Sequence, residues 1–425
     1  MRRSAADRLR ESAIEVLKGA MRTGALLEQL QWGPEVKRRF FAARARRLPT
    51  PTYPIDRAAT RASVSALLAF RRVLRGSEAL TRMLRGATDS ALAAHRMLLA
   101  VETPRFYELS CRQYGGARSM ALDADSTNLD LARHIGARLG QFKPALRTDE
   151  ATFDARTFVA MLSERLRIQH PGLEVAFAID SGIAAKVMAG VGRVRVREDA
   201  RFSALETESL WLHEIETHVI TGQNGKLQRF LPFLKAGGPR STRTQEGLAV
   251  FSELHGRALG IERLRRLVER VELVAMVEEG ANFLDVYGHV LNQGRDPDEA
   301  YLDAMRVFRG APLDGGAPFT KDACYLSGLA EVYNFLRICM NLGAFELAEV
   351  LVSGRLALDD LDELVELRRN GLLTPPRHLP NWLRNWEELV AYFAFTSFLN
   401  EIELPPLERR FARVRNLVRR AQSLR

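Results

Sequence analysis

The sequence predicts a mostly helical α+β fold with one small antiparallel sheet, on three observations. From Asp56 to about Leu139, alanine and leucine recur every three or four residues with few β-branched residues between them, the spacing of amphipathic helices. Two stretches break that texture: LEVAFAID (Leu173–Asp180) and VGRVRVRED (Val191–Asp199) alternate and are rich in strand formers. The chain has 425 residues, 46% of them hydrophobic. That is enough for a well-filled core in two or three ordinary domains or one large one.

Taken in order, residues 1–48 read as helix, with Leu9, Ile14, Val16, Leu17 and Met21 at helical spacing. Within them KRRFFAARARR (Lys37–Arg47) is strongly basic around Phe40 and Phe41. Its arginine stems can cover apolar surface, or the segment can dock an anionic partner. LPTPTYP (Leu48–Pro54) ends the helix as an extended connector. A boundary there leaves a basic helical segment, 1–48, ahead of one domain, 49–425.

Thr103 and Pro104 mark a helix start, and Gly115-Gly116 its end. A helix from Phe153 to Gln169 stops at His170-Pro171-Gly172. AAKVMAG then turns through Ala189-Gly190 into VGRVRVRED, so that Val194 and Val196 face one way and Arg193, Arg195 and Arg197 the other. Ser203 caps the next helix, with Glu206 at the capping-box position. That helix is expected to reach Thr221 and to be ended by Gly222, Asn224 and Gly225. A Gly-rich apolar loop, LPFLKAGG, follows. A further helix is expected to start at Thr242 or Thr244.

Residues 255–310 read as more helices, including VERVELVAMVEEG. The remainder to Leu399 is helical, with a turn at Pro375, Pro376 and Pro380. The tail carries Arg409, Arg410, Arg413, Arg415, Arg419 and Arg420 and reads as a basic amphipathic helix.

Composition narrows function. The net charge of +10 favours acidic partners. Three dispersed cysteines, Cys111, Cys324 and Cys339, without CxxC spacing, argue for free thiols in a reducing compartment. There is neither a secretory-type apolar N-terminus nor an eighteen-residue apolar run. The expectation is a cytoplasmic protein without a membrane span. No P-loop, dinucleotide fingerprint, zinc-finger spacing or internal repeat is present, and no nucleic-acid partner is expected.

The stretch WLHEIETHVI (Trp211–Ile220) carries the chemistry. His213, Glu214 and His218 form H-E-x-x-x-H, one residue longer than the zinc-binding H-E-x-x-H. On an ideal helix a separation of five turns two rings about 140° apart, too far to share a metal. A π-bulge would bring positions i and i+5 onto one face. Alternatively Glu214 and His218, at i and i+4, form the ligand pair of a regular helix. In TQEGLA (Thr244–Ala249), Glu246 offers the carboxylate of a two-His, one-Glu zinc site, and Gly247 permits close helix approach. His255 and His289 read as structural histidines.

HEIETH with Asn224-Gly225, TQEGLA, and FTKDACYLSG (Phe319–Gly328) together resemble the QEGLA-motif zinc metallopeptidases. That family includes the tubulin tyrosine carboxypeptidases and bacterial proteins labelled as modulating flavohaemoglobin expression. The resemblance runs roughly from Thr50 to the C-terminus. It implies a zincin-like core over about 173–330 with a helical part, 331–425, behind it. It further implies Zn2+ on His213, His218 and Glu246, with Glu214 as general base. The expected activity is a metallocarboxypeptidase acting on an acidic peptide or protein C-terminal tail, possibly one ending in Tyr or Phe.

Arg195 and Arg197, on a strand beside the metal helix, are candidates to hold such a tail, in the manner of an edge strand that pairs with substrate backbone. Lys321 could pair with the terminal carboxylate and Tyr325 with the developing oxyanion, four residues apart on one helix. Surface lysine and core tyrosine are the plainer reading, and Asp322 could instead brace a zinc histidine. A non-catalytic basic scaffold that keeps the metal site, and a zinc endopeptidase, stand as alternatives.

Overall fold

Helical spacing becomes helix along most of the chain. The computed structural model describes residues 9, 11–13, 15–17, 26–120, 125–141, 150–183, 185–396 and 409. Ile14, Met21 and the tail arginines after Arg409 lie outside them. After a single helical turn at Leu26–Gln29 come α1 (Pro34–Ala42), α2 (Arg57–Val73), α3 (Ala79–Leu99), α4 (Pro104–Tyr114) and α5 (Asn128–Gln141). Then come β1 (Phe153–Asp154), α6 (Ala155–Gln169), β2 (Ala176–Asp180), β3 (Val187–Ala189), β4 (Arg193–Arg197) and β5 (Arg201–Phe202). A continuous rod follows: α7 (Ala204–Leu210), a π-helix (Trp211–Val219) and α8 (Ile220–Leu227). The last helices are α9 (Pro239–His255), α10 (Ile261–Glu278), α11 (Phe283–Asn292), α12 (Pro297–Phe308), α13 (Cys324–Asn341), α14 (Phe345–Leu351), α15 (Leu361–Arg369) and α16 (Trp386–Thr396). No helix among the described residues is long and apolar enough to cross a membrane.

The chain groups into two units. One comprises residues 1–139, 238–240 and 265–327; the other 140–237, 241–264 and 328–425. The proline run Leu48–Pro54 therefore lies inside the first unit. In that unit Phe40 is fully buried, edge-on to Phe283 at 5.4 Å and Tyr287 at 5.1 Å. The basic segment KRRFFAARARR thus serves as a core anchor. Its helix stops at Ala42, short of Arg47, because Arg44 and Ala45 adopt positive φ (54° and 53°), which helical geometry does not allow.

In the second unit the sheet order is β2-β4-β3. β3 and β4 form the expected antiparallel hairpin, but β2 runs parallel to β4, so the sheet is mixed. The residues between β2 and β3 carry the chain past the end of β4, which puts β4 in the centre. β1 and β5 form a separate antiparallel pair, beneath which Phe158 and Phe202 stack at 4.0 Å. Alternation works as expected on β4: Val194 and Val196 are buried and the arginines face outward. The buried valines join Trp211, Ile215 and Val219 of the π-helix in one core. Burying each such side chain contributes about 1.5–3 kcal/mol, and this fixes one face of the rod to the sheet.

Two boundaries differ from expectation. The rod runs on to Leu227 through Gly222, Asn224 and Gly225, because these residues pack instead of stopping the helix. A Cβ on Gly225 would stand 2.4 Å from the Leu234 carbonyl oxygen, and the Asn224 amide donates to the carbonyls of Val352 and His378, both at 2.8 Å. The helix bearing TQEGLA begins at Pro239, where proline's fixed φ suits a first helical position. At the rod's other end the Ser203 hydroxyl accepts from the Glu206 amide at 3.0 Å. The Glu206 carboxylate, however, takes the Lys186 ammonium at 2.8 Å, so only half of the capping box forms.

Candidate metal centre

The face of the rod turned away from the sheet carries His213, Glu214 and His218. The π register that aligns positions five apart is held by two side chains. The Thr217 hydroxyl donates to the Leu212 carbonyl five residues back, at 3.0 Å, and the Trp211 indole donates to Glu216 five residues on, at 3.2 Å. Glu216 is buried and also accepts from His170 Nε2 at 2.8 Å and from the Asn381 amide and main chain at 2.9 and 2.7 Å. The widened turn is therefore pinned by buried polar groups whose loss would each leave an unsatisfied partner.

His213 and His218 meet edge-on, with ring centroids 4.9 Å apart. Glu246 reaches both from α9: its Oε2 lies 3.5 Å from His213 Nε2 and 3.6 Å from His218 Nε2. One donor atom from each of the three falls within 4.8 Å of the others. Ligands about 2.0–2.1 Å from a tetrahedral metal stand roughly 3.3 Å from one another, so the donor set fits such an ion. A regular-helix pair of Glu214 and His218 is not the arrangement seen. Glu246 is placed by a very close helix crossing: a Cβ on Gly247 would stand 2.2 Å from the Gly328 backbone of α13. Thr217 and Ser252 hydroxyls pair at 3.0 Å, and Trp382 donates to Ser252 at 3.0 Å. The first of these bonds ties α9 to the rod, and the second ties it to the segment around Trp382.

His213 Nδ1 is bonded to Glu253 Oε1 at 2.6 Å, leaving Nε2 facing Glu246 and available to a metal. Glu253 is fully buried and is itself held by Arg263 at 3.2 Å and the Ser209 hydroxyl at 2.8 Å. Burial alone would raise its pKa, but Arg263 and His213 pull it down to about 2. For His213, burial disfavours the charged ring, yet bonds to Glu246 and Glu253 outweigh it and raise the pKa to about 9. The metal-free ring is then protonated at neutral pH, and a metal must displace that proton. Outer carboxylates of this kind fix the tautomer of a ligand histidine.

Glu253 was not read from the sequence, although it sits two helical turns after Glu246, at i+7, on the same face. The bracing part considered for Asp322 is taken by Glu253. Asp322 lies in the first unit, paired with Arg306. Lys321 and Tyr325 are also buried in the first unit. There the Lys321 ammonium donates to the Tyr325 hydroxyl at 3.1 Å and lies over its ring.

Arg195 and Arg197 project from β4, the central strand, so they do not line a free edge. Arg195 pairs with Asp180 at 3.6 Å and donates to Met188 at 2.8 Å, and Arg197 pairs with Asp199 at 2.6 Å. The strand with an unpaired edge that packs against the π-helix is β3. His255 rests against Tyr392 at 4.8 Å, and His289 bonds Gln293 at 2.8 Å; both act structurally.

A family model described as microtubule-associated tyrosine carboxypeptidase matches residues 38–401. No curated protein is matched. Similar solved structures include a Pyrococcus furiosus carboxypeptidase in apo-Mg form, at 11% identity and TM-score 0.41, covering 93% of this chain and 99% of that one. Metallocarboxypeptidase 1 of Trypanosoma cruzi is another, at 11% identity and TM-score 0.39, covering 96% and 98%. At these scores neither likeness carries an argument.

Proposed function

The chain belongs to the microtubule-associated tyrosine carboxypeptidase family, and from that premise we propose that it is a zinc-dependent metallocarboxypeptidase. Its substrate would be an acidic peptide or protein tail from which it removes a C-terminal residue, tyrosine or phenylalanine. The observation that carries this reading is the triad of His213, His218 and Glu246, with His213 locked by Glu253. Zinc held by these three would polarise the scissile carbonyl and lower the pKa of a water.

The remaining steps fall to the chain. Glu214 follows the first candidate ligand directly and is half-buried, with its charge felt at His213. It takes the proton of the attacking water and returns it to the leaving amine. Glu253, held by Arg263, fixes the His213 ring by Nδ1 and so would keep its Nε2 available to the metal. The charge of +10 draws acidic tails to the molecule. All three cysteines are free, which supports a cytoplasmic setting.

The test combines zinc stoichiometry with cleavage of acidic peptides ending in Tyr or Phe. One zinc per chain and release of the single terminal residue are expected. Glu214→Gln should keep the zinc and lose about 10²–10⁴-fold in kcat. Full activity in that zinc-loaded variant would remove Glu214 from the mechanism.

A further inference from the structure

The two helices that bring the candidate ligands together are joined by two polar rungs. In one, the Thr217 hydroxyl on the rod meets the Ser252 hydroxyl of α9 at 3.0 Å. In the other, one turn further along the rod, the Thr221 hydroxyl meets Gln245 Oε1 at 2.9 Å. All four residues belong to the second unit. Because 217 pairs with 252 and 221 with 245, the rod and α9 run antiparallel where they touch. His218 lies between the rungs on the rod, and Glu246 lies between them on α9.

Gln245 stands directly before Glu246 and is 5% exposed. Its Nε2 is buried without a hydrogen-bond partner among the described residues. The Thr221 hydroxyl has one proton and three acceptors in reach: the carbonyls of Thr217 at 2.7 Å and His218 at 3.4 Å, and the Gln245 amide. Turned end for end, that amide would donate to the hydroxyl while the hydroxyl keeps the Thr217 carbonyl, so the pair closes in either sense. In both senses one end of the amide stays unsatisfied, a cost that an apolar side chain of the same length would not carry. Packing alone therefore does not account for an amide at this position.

We propose that Gln245 is a positioning residue for the third ligand: through Thr221 it fixes how far α9 slides along the rod, and so sets Glu246 against His218. The proposal rests on the metal-site reading above. A helix rises about 1.5 Å per residue, whereas metal–ligand distances hold to about 0.2 Å. A slide of even one residue would carry the Glu246 carboxylate, now 3.6 Å from His218 Nε2, out of a shared coordination sphere. The Thr217–Ser252 rung alone leaves α9 a pivot, and the second rung removes it. The Gly247 crossing sets α9 against α13; Gln245 sets it against the rod.

The experiment titrates the full chain with Zn2+ against a competing chelator, and with Co2+, whose visible absorption reports coordination geometry. Gln245→Met keeps the length and apolar packing of the side chain but loses the rung, and Thr221→Val removes it from the rod's side. Each should weaken zinc binding about 10-fold and alter the cobalt bands. The double variant should bind no more weakly than either single one, because both break the same contact. Thr221→Ser keeps the hydroxyl and should restore the parent's affinity and spectrum. Unchanged affinity and spectrum in Gln245→Met, or single losses that multiply in the double variant, overturn the assignment while the metal site stands. A metal-free melting temperature that falls in Gln245→Met with affinity and spectrum intact makes the residue merely structural and overturns it too. A parent chain that binds neither metal overturns both the assignment and the metal-site reading.

Discussion

Glu253 shows what one side chain contributes without touching substrate. It holds the ring of His213, the first candidate ligand, by Nδ1 at 2.6 Å and is itself neutralised by Arg263. Replacing it with alanine frees the ring to turn and strands Arg263. Zinc affinity, measured by competition with a chelator, should fall about 10–100-fold, and the fold should persist because the rod's core contacts remain. Affinity unchanged in Glu253→Ala would show that the ring is oriented by packing alone. A conservative Glu253→Gln protein should lie between the two, since it keeps one acceptor but loses the charge that faces Arg263.

At the scale of elements, the site depends on two rods held at fixed distance. Gly247 on α9 meets Gly328 on α13 backbone to backbone, and a Cβ on Gly328 would in turn stand 2.2 Å from the Arg243 carbonyl oxygen. Gly247→Ala should therefore push α9 aside, destabilising by about 1–3 kcal/mol and moving Glu246 from the histidines. Thermal melting and zinc content should drop together. A variant that melts like the parent and retains full zinc would show that α9 has slack. The rod itself was half legible. The spacing of five in HEIETH offered a widened turn beside a regular-helix pairing of Glu214 and His218, and Thr217, Trp211 and Glu216, which hold the turn open, were invisible as such. Their partners Ser252, His170 and Asn381 lie far away in sequence.

For the whole molecule, charge and pH give two checks. With a net charge of +10, KM for an acidic peptide should rise with ionic strength as screening shortens the reach of the field to about 8 Å at physiological salt. A salt-independent KM would mean that the charge is spent elsewhere. In the first unit, burial would raise the Asp322 carboxyl, but Arg306 foremost, with other cations beside it, holds it well below the ordinary range. A depressed folded pKa gives stability that is complete above the unfolded value, about 3.9, and is lost as pH falls through the folded one. Asp322→Asn should cost about 3–5 kcal/mol at neutral pH. The gap from the parent should stay constant from pH 8 to 5 and close only in stronger acid. A gap that already narrows near pH 6 would contradict the pairing with Arg306.

What the amino-acid order determined by itself was local. Helical spacing, the alternation of Val194 and Val196 with arginines, and the ligand types in HEIETH and TQEGLA are properties of short windows, where backbone period and side-chain chemistry act directly. Which residues meet was decided in three dimensions. Gly222, Asn224 and Gly225 look like a helix stop until the close approach of Leu234 and the carbonyls of Val352 and His378 makes them packing residues. Arg195 looks like a docking residue until the crossover places β4 at the sheet's centre. Long-range contacts select among conformations that local preference leaves nearly equal, and so they, more than the motif, built the site.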